Sequence, residues 1–276
     1  MEEKEDFVEW KELWEKEIEE SFRETFHVEF HDYSPENIKR CKPFEVMNQK
    51  FVNLRLKYST SFDAMFKNMK QNVFRHEYAK GGQSLHRGFY SPSAQDMVVS
   101  GCNRGKLLKR QPKNNNYDYE YLFDKNDKLI CSKTYSDFFG PFEVVEIELF
   151  EYKPDNVFSF YFNTKWDNIL IGITECQYEN GVLTEYATAK FYSYESSSCD
   201  EMEVERFFYE NNLMKSFCHY IYTPSLPLLT QNKYVFTRDE EGYFSRYTIY
   251  PINDLSPEQN IEQETESYHV LGAKRK

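Results

Sequence analysis

Two histidines and a glutamate lie within five residues near the start of the chain, in the order His27-Val28-Glu29-Phe30-His31. On a helix the two histidines would share one face at a spacing of four residues, which suits a metal ion. The motif is HxExH, however, so Glu29 would point away from that face, unlike the glutamate of an HExxH motif. No third ligand is indicated nearby. We therefore interpret the histidines as an ordinary surface pair and predict no metal site.

A glycine-rich stretch, Gly101-Cys102-Asn103-Arg104-Gly105-Lys106, has the look of the end of a phosphate-binding loop. It lacks the full spacing of such a loop, and Leu107 stands where the motif requires Ser or Thr. No strand–helix–strand pattern surrounds it. The basic side chains from Arg104 to Lys113 are therefore interpreted as a solvated loop or hairpin tip, with a phosphate or acidic-protein contact as the less favoured alternative.

Nucleophiles and general acids are no better supported. Cys218 and His219 are neighbours in a predicted strand, so their side chains would face opposite sides and could not form a nucleophile–base pair. Glu146 and Glu148 share one face of a strand, but a Glu-x-Glu pair is typical of an exposed sheet face. We predict no catalytic residue and no cofactor, and an enzyme is the least favoured of three functional hypotheses.

The net charge of −12 restricts the class of partner. Residues 1–20 carry ten acidic side chains against three lysines, so the acidity is concentrated at the start of the chain. General binding to nucleic acid or to an anionic membrane surface needs clustered Lys and Arg, and this balance argues against both. A basic protein partner would fit better, although acidic residues also serve solubility.

The six cysteines are far apart, and none forms a CxxC pair. The glutamate-rich beginning has no apolar segment of the kind found in a signal peptide. We therefore predict reduced, mostly buried thiols in a cytoplasmic protein. No apolar run approaches the ~18–20 residues of a membrane span, so none is predicted.

The first 80 residues show helical periodicity. Apolar residues recur every three or four positions near the start and would form one face of a helix, namely Phe7, Trp10, Trp14, Ile18 and Phe22. Ser34 and Pro35 suit the N-cap and first position of a second helix, and Pro43 should limit it. A further periodic segment covers residues 44–78. Residues 1–80 are thus predicted as a helical segment that packs on a sheet.

Five similar turns follow, and each reads as a hairpin tip. They begin at Phe123, Tyr152, Tyr178, Tyr209 and Thr237, 26 to 31 residues apart. The clearest is Tyr178-Glu179-Asn180-Gly181, because Asn-Gly between two alternating runs is a strong signal for a type I′ turn. Regular recurrence at this spacing indicates a repeated unit.

The residues between the turns alternate between apolar and polar side chains, and the 24 Phe and 22 Tyr favour strands. The predicted fold is α+β: N-terminal helices followed by an up-and-down antiparallel meander of about ten strands. A sheet of that width would curl or close like a barrel. Residues 81–252 are predicted as this hairpin domain, and residues 253–276 as a loose polar tail.

The tips Tyr178-Glu179-Asn180-Gly181-Val182-Leu183 and Phe123-Asp124-Lys125-Asn126-Asp127-Lys128-Leu129 resemble the YD-type hairpin repeats of bacterial secreted toxins. They are also similar to bacterial β-hairpin proteins, some of them immunity proteins of polymorphic toxin systems. The resemblance covers residues 117–250, and this chain lacks a strict Tyr-Asp pair. It implies toxin neutralisation but carries over no functional residue.

Two further hypotheses stand beside the enzyme. The leading one is a non-catalytic protein-interaction module, such as an immunity protein whose acidic surface covers a basic toxin. The alternative is a lipocalin-like carrier with a small apolar ligand inside an aromatic-lined barrel. The sequence identifies no binding residues for either hypothesis.

Overall fold

The computed structural model describes residues 35–82, 93–99, 105–112, 116–136, 141–192, 198–240, 242, 244–251 and 266–269. Within these ranges the chain forms two α-helices, a π-helical segment (Gln95–Val99), a 3-10 segment (Thr164–Trp166) and thirteen strands. The predicted helix from Phe7 to Phe22 and the histidine pair of residues 27 and 31 lie outside the described residues.

Helix α1 spans Pro35–Tyr58 and helix α2 spans Phe62–Asn72. The start at Pro35 agrees with the prediction, but the predicted limit at Pro43 is wrong, because α1 continues through it. Pro43 is exposed, while Cys41 and Phe44 on either side of it are buried in one core. Packing of that apolar face offsets the hydrogen bond that proline removes. Neither helix combines the length and hydrophobicity that a membrane crossing requires.

The strands are short to medium in length, and each pairs with its neighbours in antiparallel register. They are β1 (Arg75–Lys80), β2 (Lys106–Leu108), β3 (Tyr119–Phe123), β4 (Leu129–Ser136), β5 (Glu143–Tyr152), β6 (Asn156–Asn163), β7 (Ile169–Glu179), β8 (Val182–Lys190), β9 (Glu201–Glu210), β10 (Leu213–Thr223), β11 (Leu228–Arg238), β12 (Phe244–Pro251) and β13 (Glu266–His269).

All thirteen described strands belong to one sheet, ordered β13-β12-β11-β10-β9-β8-β7-β6-β5-β4-β3-β1-β2. From β3 onward each strand pairs with the next strand in the chain, so the predicted antiparallel meander is confirmed. The order runs from one end strand, β13, to the other, β2, and the described strands form an open sheet. The pairing of the described strands therefore does not close the sheet into a barrel.

Three strands were not predicted. Residues 75–80 were expected to continue a helix, but they form β1, which lies between β2 and β3. Tyr78 and Ala79 are buried there, so pairing with two strands outweighs the helical spacing that precedes them. The basic residues after Gly105 were expected to form a loop, yet Lys106–Leu108 pair with β1. Within the supposedly loose tail, Glu266–His269 pair with β12 as an edge strand.

All five predicted hairpin tips are confirmed. They connect β3 to β4, β5 to β6, β7 to β8, β9 to β10 and β11 to β12. Asn180 and Gly181 adopt φ values of 52° and 79°, and Asn211 and Asn212 adopt 52° and 62°. Two successive positive φ values are what a two-residue hairpin turn requires, and Asn and Gly tolerate them best.

The helices cover one side of the sheet, which we call the helix-side face. Tyr58 stacks on Phe160 with ring centroids 4.1 Å apart, and Phe44 lies 5.1 Å from Tyr220. Cys41, Phe51 and Met69 belong to the same core as strand residues from β3 to β11. The helices and the sheet therefore share one hydrophobic core.

The opposite side, which we call the far face, is also buried over much of its area. Phe217 of β10 stacks on Tyr234 at 4.7 Å and lies 5.7 Å from Phe236. Residues 93–99, which we call the strap, place Ala94 and Val98 in this second core. Polar side chains of the far face near the strap, such as Glu205 and His219, are therefore buried rather than exposed to solvent.

Candidate functional site: a carboxylate cluster on the far face

Glu205 of β9 holds the strap against the sheet. Its side chain is 1% exposed and accepts hydrogen bonds from the Ser93 hydroxyl and from the backbone N–H groups of Ala94 (2.6 Å) and Gln95 (3.4 Å). The Ser93 Oγ in turn accepts from the Asp96 N–H at 3.0 Å. The first turn of the strap is thus capped twice, by its own serine and by a carboxylate from the sheet.

Glu203 lies two residues earlier on the same face of β9, beside Lys190 at the end of β8. The Lys190 ammonium is 2.6 Å from carboxylate oxygens of both Glu203 and Glu201. Period-two alternation along β9 places Glu201, Glu203 and Glu205 in one row. We call these three residues, together with Lys190 and His219, the carboxylate cluster.

His219 of β10 completes the cluster. It is paired with Glu205 across the two strands and is 6% exposed. Its Nε2 atom is 3.5 Å from Glu203 Oε2, beyond the usual length of a hydrogen bond, and it has no hydrogen-bond partner among the described residues. A buried ring nitrogen without a partner is uncommon, because its desolvation is then uncompensated.

Exposure falls steadily along the cluster. The side chains of Lys190 and Glu201 are 38% and 35% exposed, that of Glu203 is 22% exposed and that of His219 is 7% exposed. Glu205 lies at the closed end. The cluster therefore opens to solvent where β8 ends and β9 begins, and it leads inward to His219 and Glu205.

The two inner carboxylates differ in acidity. Burial raises the pKa of Glu205 to about 7, although Ser93, His219 and the strap N–H groups act in the opposite direction. Burial also acts to raise the pKa of Glu203, but the contacts with His219 and Lys190 outweigh it and lower the pKa to about 2. Burial disfavours the charged form of Lys190, yet Glu203 and Glu201 raise its pKa above the ordinary value.

This arrangement has two chemical capacities. Charged side chains are available to a polar group at the solvent-exposed end, and Glu205 can gain or lose a proton near neutral pH. Asp96 on the strap is close enough to interact electrostatically with Glu203, Lys190 and His219, so it adds negative charge beside the cluster. No group of three or more His, Cys, Asp or Glu side chains within the described ranges is arranged to hold a metal ion.

The sequence-based interpretation of Glu146 and Glu148 as an exposed pair is wrong. Glu148 is 6% exposed, and Glu146 accepts a hydrogen bond of 2.8 Å from the Tyr161 hydroxyl. Both lie on the far face, where Glu148 is buried and Glu146 is partly buried. The Tyr161 hydroxyl stays protonated, because burial and the two carboxylates raise its pKa well above the ordinary value.

Cys218 and His219 do face opposite sides of the sheet, as predicted: Cys218 packs in the helix-side core and His219 points to the carboxylate cluster. The five described cysteines are buried thiols. Burial raises the pKa of the Cys218 thiol to about 11 and that of Cys199 to about 12, so neither is an activated nucleophile.

Other sequence candidates are only partly described. Residues 101–104 of the glycine-rich stretch, which include Cys102, lie outside the described ranges. Lys113 also lies outside them. Gly105 and Lys106 lead directly into the edge strand β2 rather than into a helix, so the phosphate-loop geometry is not present there.

Sequence reasoning did not identify the carboxylate cluster. It placed Glu203 and Glu205 on the polar side of a strand, and it dismissed His219 only as a partner for Cys218. The available signal was the same-face register of His219 with Glu205, which requires knowing that β9 and β10 form a hairpin. Nothing in the alternating pattern indicates that this polar face is covered by the strap.

No protein-family model matches the chain, and no curated protein matches it. The resemblance to YD-type repeats and to immunity proteins therefore stays a prediction based on the hairpin tips.

Proposed function

We propose that the protein binds a small polar ligand at the carboxylate cluster on the far face of its sheet. The observation that carries this proposal is the Nε2 atom of His219, which is buried 3.5 Å from Glu203 Oε2 and makes no hydrogen bond to a described residue. A ligand group at this position would satisfy that nitrogen and compensate its desolvation.

Two features support a polar ligand over the apolar one expected for a lipocalin-like carrier. The aromatic side chains of the far face, such as Phe217, Tyr234 and Phe236, pack against one another and fill their own space. Exposure falls from Lys190 and Glu201 through Glu203 to His219, so the side chains of the cluster nearest to solvent are charged. A polar ligand that binds at the solvent-exposed end would contact these charges.

The test is a fragment screen followed by nuclear magnetic resonance, with the imidazole of His219 as the reporter. Fragments that bind at the site should shift the His219 signal in a saturable way. The Glu203→Gln variant should weaken the effect, and the matched control Glu210→Gln, which alters an exposed glutamate on the same strand, should not. Fragments that bind only elsewhere, or none that bind at all, would overturn the proposal.

A protein-interaction module that covers a basic toxin is the second candidate, and it is favoured by a different region. Trp166 and Tyr192 are 54% and 67% exposed at the end of the sheet where β6 connects to β7 and β8 to β9. Trp166 is followed by Asp167 and Asn168, both with positive φ, a conformation that Asp and Asn adopt more readily than other non-glycine residues. Exposed aromatics are common anchors in interfaces, and the net charge of −12 suits a basic partner.

This candidate is tested with the Trp166→Ser/Tyr192→Ser variant. In a pull-down, the wild-type protein should retain a basic protein from the native host. Co-production of the wild-type protein should also relieve the toxicity of that basic protein. The double variant should lose both effects. Because Trp166 and Tyr192 are exposed, the substitutions should not affect folding. Equal retention and equal protection by the variant would contradict the role of this surface.

A further inference from the structure

We propose that the strap is a pH-sensitive lid, which is closed over the inner residues of the carboxylate cluster in weakly acidic solution and releases them as the pH rises above neutral. The inference concerns how access to that cluster is regulated. The purpose of the movement therefore rests on the proposed function, whereas the movement itself does not.

The strap is held on the sheet by side-chain contacts rather than by strand pairing. Among the described residues, no backbone N–H···O=C bond joins residues 93–99 to a strand. Instead, the Ser93 hydroxyl and the backbone N–H groups of Ala94 and Gln95 converge on the carboxylate of Glu205. A segment attached in this way can open locally while the strands keep their own hydrogen bonds, because local opening costs less than global unfolding.

The closed strap lies on a row of side chains that crosses the far face. Tyr186 of β8, Glu205 of β9 and His219 of β10 are neighbours in the strand register. Glu205 and His219 are 1% and 6% exposed, so neither is accessible to a ligand while the strap is closed. Lifting the strap would return the Glu205 carboxylate to solvent and uncover the imidazole beside it.

Like charges meet where the strap lies on β9. Burial raises the pKa of Asp96 on the strap, and the carboxylate of Glu203 adds to the shift, while Lys190 and His219 act against it without cancelling it. Burial also raises the pKa of Glu205, to about 7. When the strap is open, both acids would return toward their ordinary values of 3.8 and 4.5. The closed state therefore has its full stability below those values and loses it as the pH rises through 7.

The other titratable groups around Glu205 do not reverse this direction. Burial raises the pKa of Tyr186 well above its ordinary value and that of Tyr234 on β11 to about 12, so both hydroxyls stay neutral near pH 7. Glu203, with its pKa lowered to about 2, stays charged and repels an ionised Glu205. His219 favours ionised Glu205, but burial outweighs it.

The experiment measures amide hydrogen exchange of the full chain at pH 5 and pH 8. Rates are expressed as protection factors, which removes the intrinsic dependence of exchange on pH. The readouts are the Ala94 and Gln95 amides of the strap and, for comparison, the amides of β9 and β10. Ionisation of Glu205 should lower the protection of the strap at least about ten-fold between these pH values. The strand amides should stay better protected than the strap at both.

Two variants and a control assign the effect to its residues. Glu205→Gln cannot ionise, so the protection of its strap should lose most of the pH dependence. Ser93→Ala removes one donor and keeps the acid, so it should lower the protection at both pH values and keep the pH dependence. Glu210→Gln alters an exposed glutamate on the same strand and should behave as wild type does. If Glu205→Gln does not fold, the wild type and Ser93→Ala still give the comparison.

The outcomes separate the lid from the proposed function. Strap amides that are protected as well as the strand amides, or whose protection does not change with pH, would rule out the lid. If fragments nevertheless bind at the carboxylate cluster, the proposed function stands. If the strap opens with pH and no fragment shifts the His219 signal at either pH, the lid stands and the proposed function fails.

Discussion

Glu120 and Glu205 are both buried carboxylates on strands of one sheet, but the chain treats them differently. Glu120, on the helix-side face, accepts from Lys133 (2.7 Å), Tyr135 (2.8 Å) and Tyr78 (3.3 Å), and it is 2.8 Å from His76 Nδ1. Burial acts to raise its pKa, but Lys133 and the other donors outweigh it and lower the pKa below the ordinary value.

Glu205 has a comparable number of donors without an ammonium among them, and its pKa rises to about 7. Glu205 is also buried more deeply than Glu120, so deeper burial and the missing ammonium both act to raise its pKa, whereas Lys133 acts against burial at Glu120. Glu120 is therefore balanced by a lysine of the chain, whereas the described donors to Glu205 are a hydroxyl and backbone N–H groups.

The largest expected loss of stability comes from removing the carboxylate of Glu120. The Glu120→Ala variant leaves Lys133, which is 16% exposed, without its carboxylate, together with the hydroxyls of Tyr78 and Tyr135. We expect the free energy of unfolding to fall by about 3–5 kcal/mol, because a buried charge is left unpaired. Urea denaturation measures this change.

The matched control is Glu120→Gln, which keeps an acceptor at the same position and removes only the charge. It should destabilise the protein less than Glu120→Ala does. A loss below about 1 kcal/mol for Glu120→Ala would show that the network is relaxed by water and would remove the contrast with Glu205.

The second expected effect is a dependence of folding stability on pH that is caused by Glu205. Its pKa is about 7 in the folded state against 4.5 ordinarily, so the unfolded chain releases this proton first as pH rises. The stability it contributes is complete below pH 4.5 and is lost by pH 7 to 8, a change of about 3 kcal/mol. Glu205→Gln should not show this change, and urea midpoints at pH 4.5 and 8 measure the difference between variant and wild type.

The stability contribution of Glu203 changes with pH in the opposite direction, so Glu203 provides an internal comparison. With its pKa lowered to about 2, its contribution is present above pH 4.5 and is lost as the pH falls toward 2. Wild-type and Glu205→Gln proteins with parallel stability profiles between pH 4.5 and 8 would refute the assignment of the titration to Glu205.

A smaller effect is expected at the strap. Ser93→Ala removes the hydroxyl that donates to Glu205 and caps the Asp96 N–H. The expected loss is about 2 kcal/mol, since a cap and a bond to a buried carboxylate disappear together. Ser59→Ala, at an exposed serine, is the control. Thermal or urea unfolding of the two variants should differ; equal stability would mean that the strap is held by Ala94 and Val98 alone.

The smallest effect calibrates the scale. Lys215 and Glu210 form an exposed ion pair at 2.9 Å near a hairpin tip, with side chains 57% and 62% exposed. Lys215→Ala should change the free energy of unfolding by less than about 0.5 kcal/mol in urea, because solvent and salt screen such pairs. A loss comparable to that of Ser93→Ala would show that the buried networks are not special.

Much of the fold was accessible from the sequence, because its signals are local. Asn180-Gly181 and the four similar tips specify turns within a few residues, and alternation between them specifies strands. The parts that failed depend on distant partners. Residues 75–80 became a strand because β3 offers an edge, Pro43 stayed inside a helix because a core lies beneath it, and β13 exists only by pairing with β12.

The carboxylate cluster depends on distant contacts in the same way. Alternation placed Glu203 and Glu205 on one face, but their burial is produced by the strap, more than 100 residues earlier in the chain. Nothing local distinguishes Glu205 from an exposed glutamate such as Glu210 on the same strand. Sequence patterns specify which side a residue faces, whereas its acidity depends on what covers that side.

The nearest-neighbour order of the strands has a kinetic consequence. From β3 to β12 every strand pairs with the next one along the chain, so the loops that must close are short and the sheet can grow hairpin by hairpin. The helices differ, since Asn37 and Cys41 of α1 contact Pro227 across nearly 190 residues. We expect early hairpin formation near the middle of the sheet, followed by late docking of α1 as the slow, helix-dependent phase of refolding.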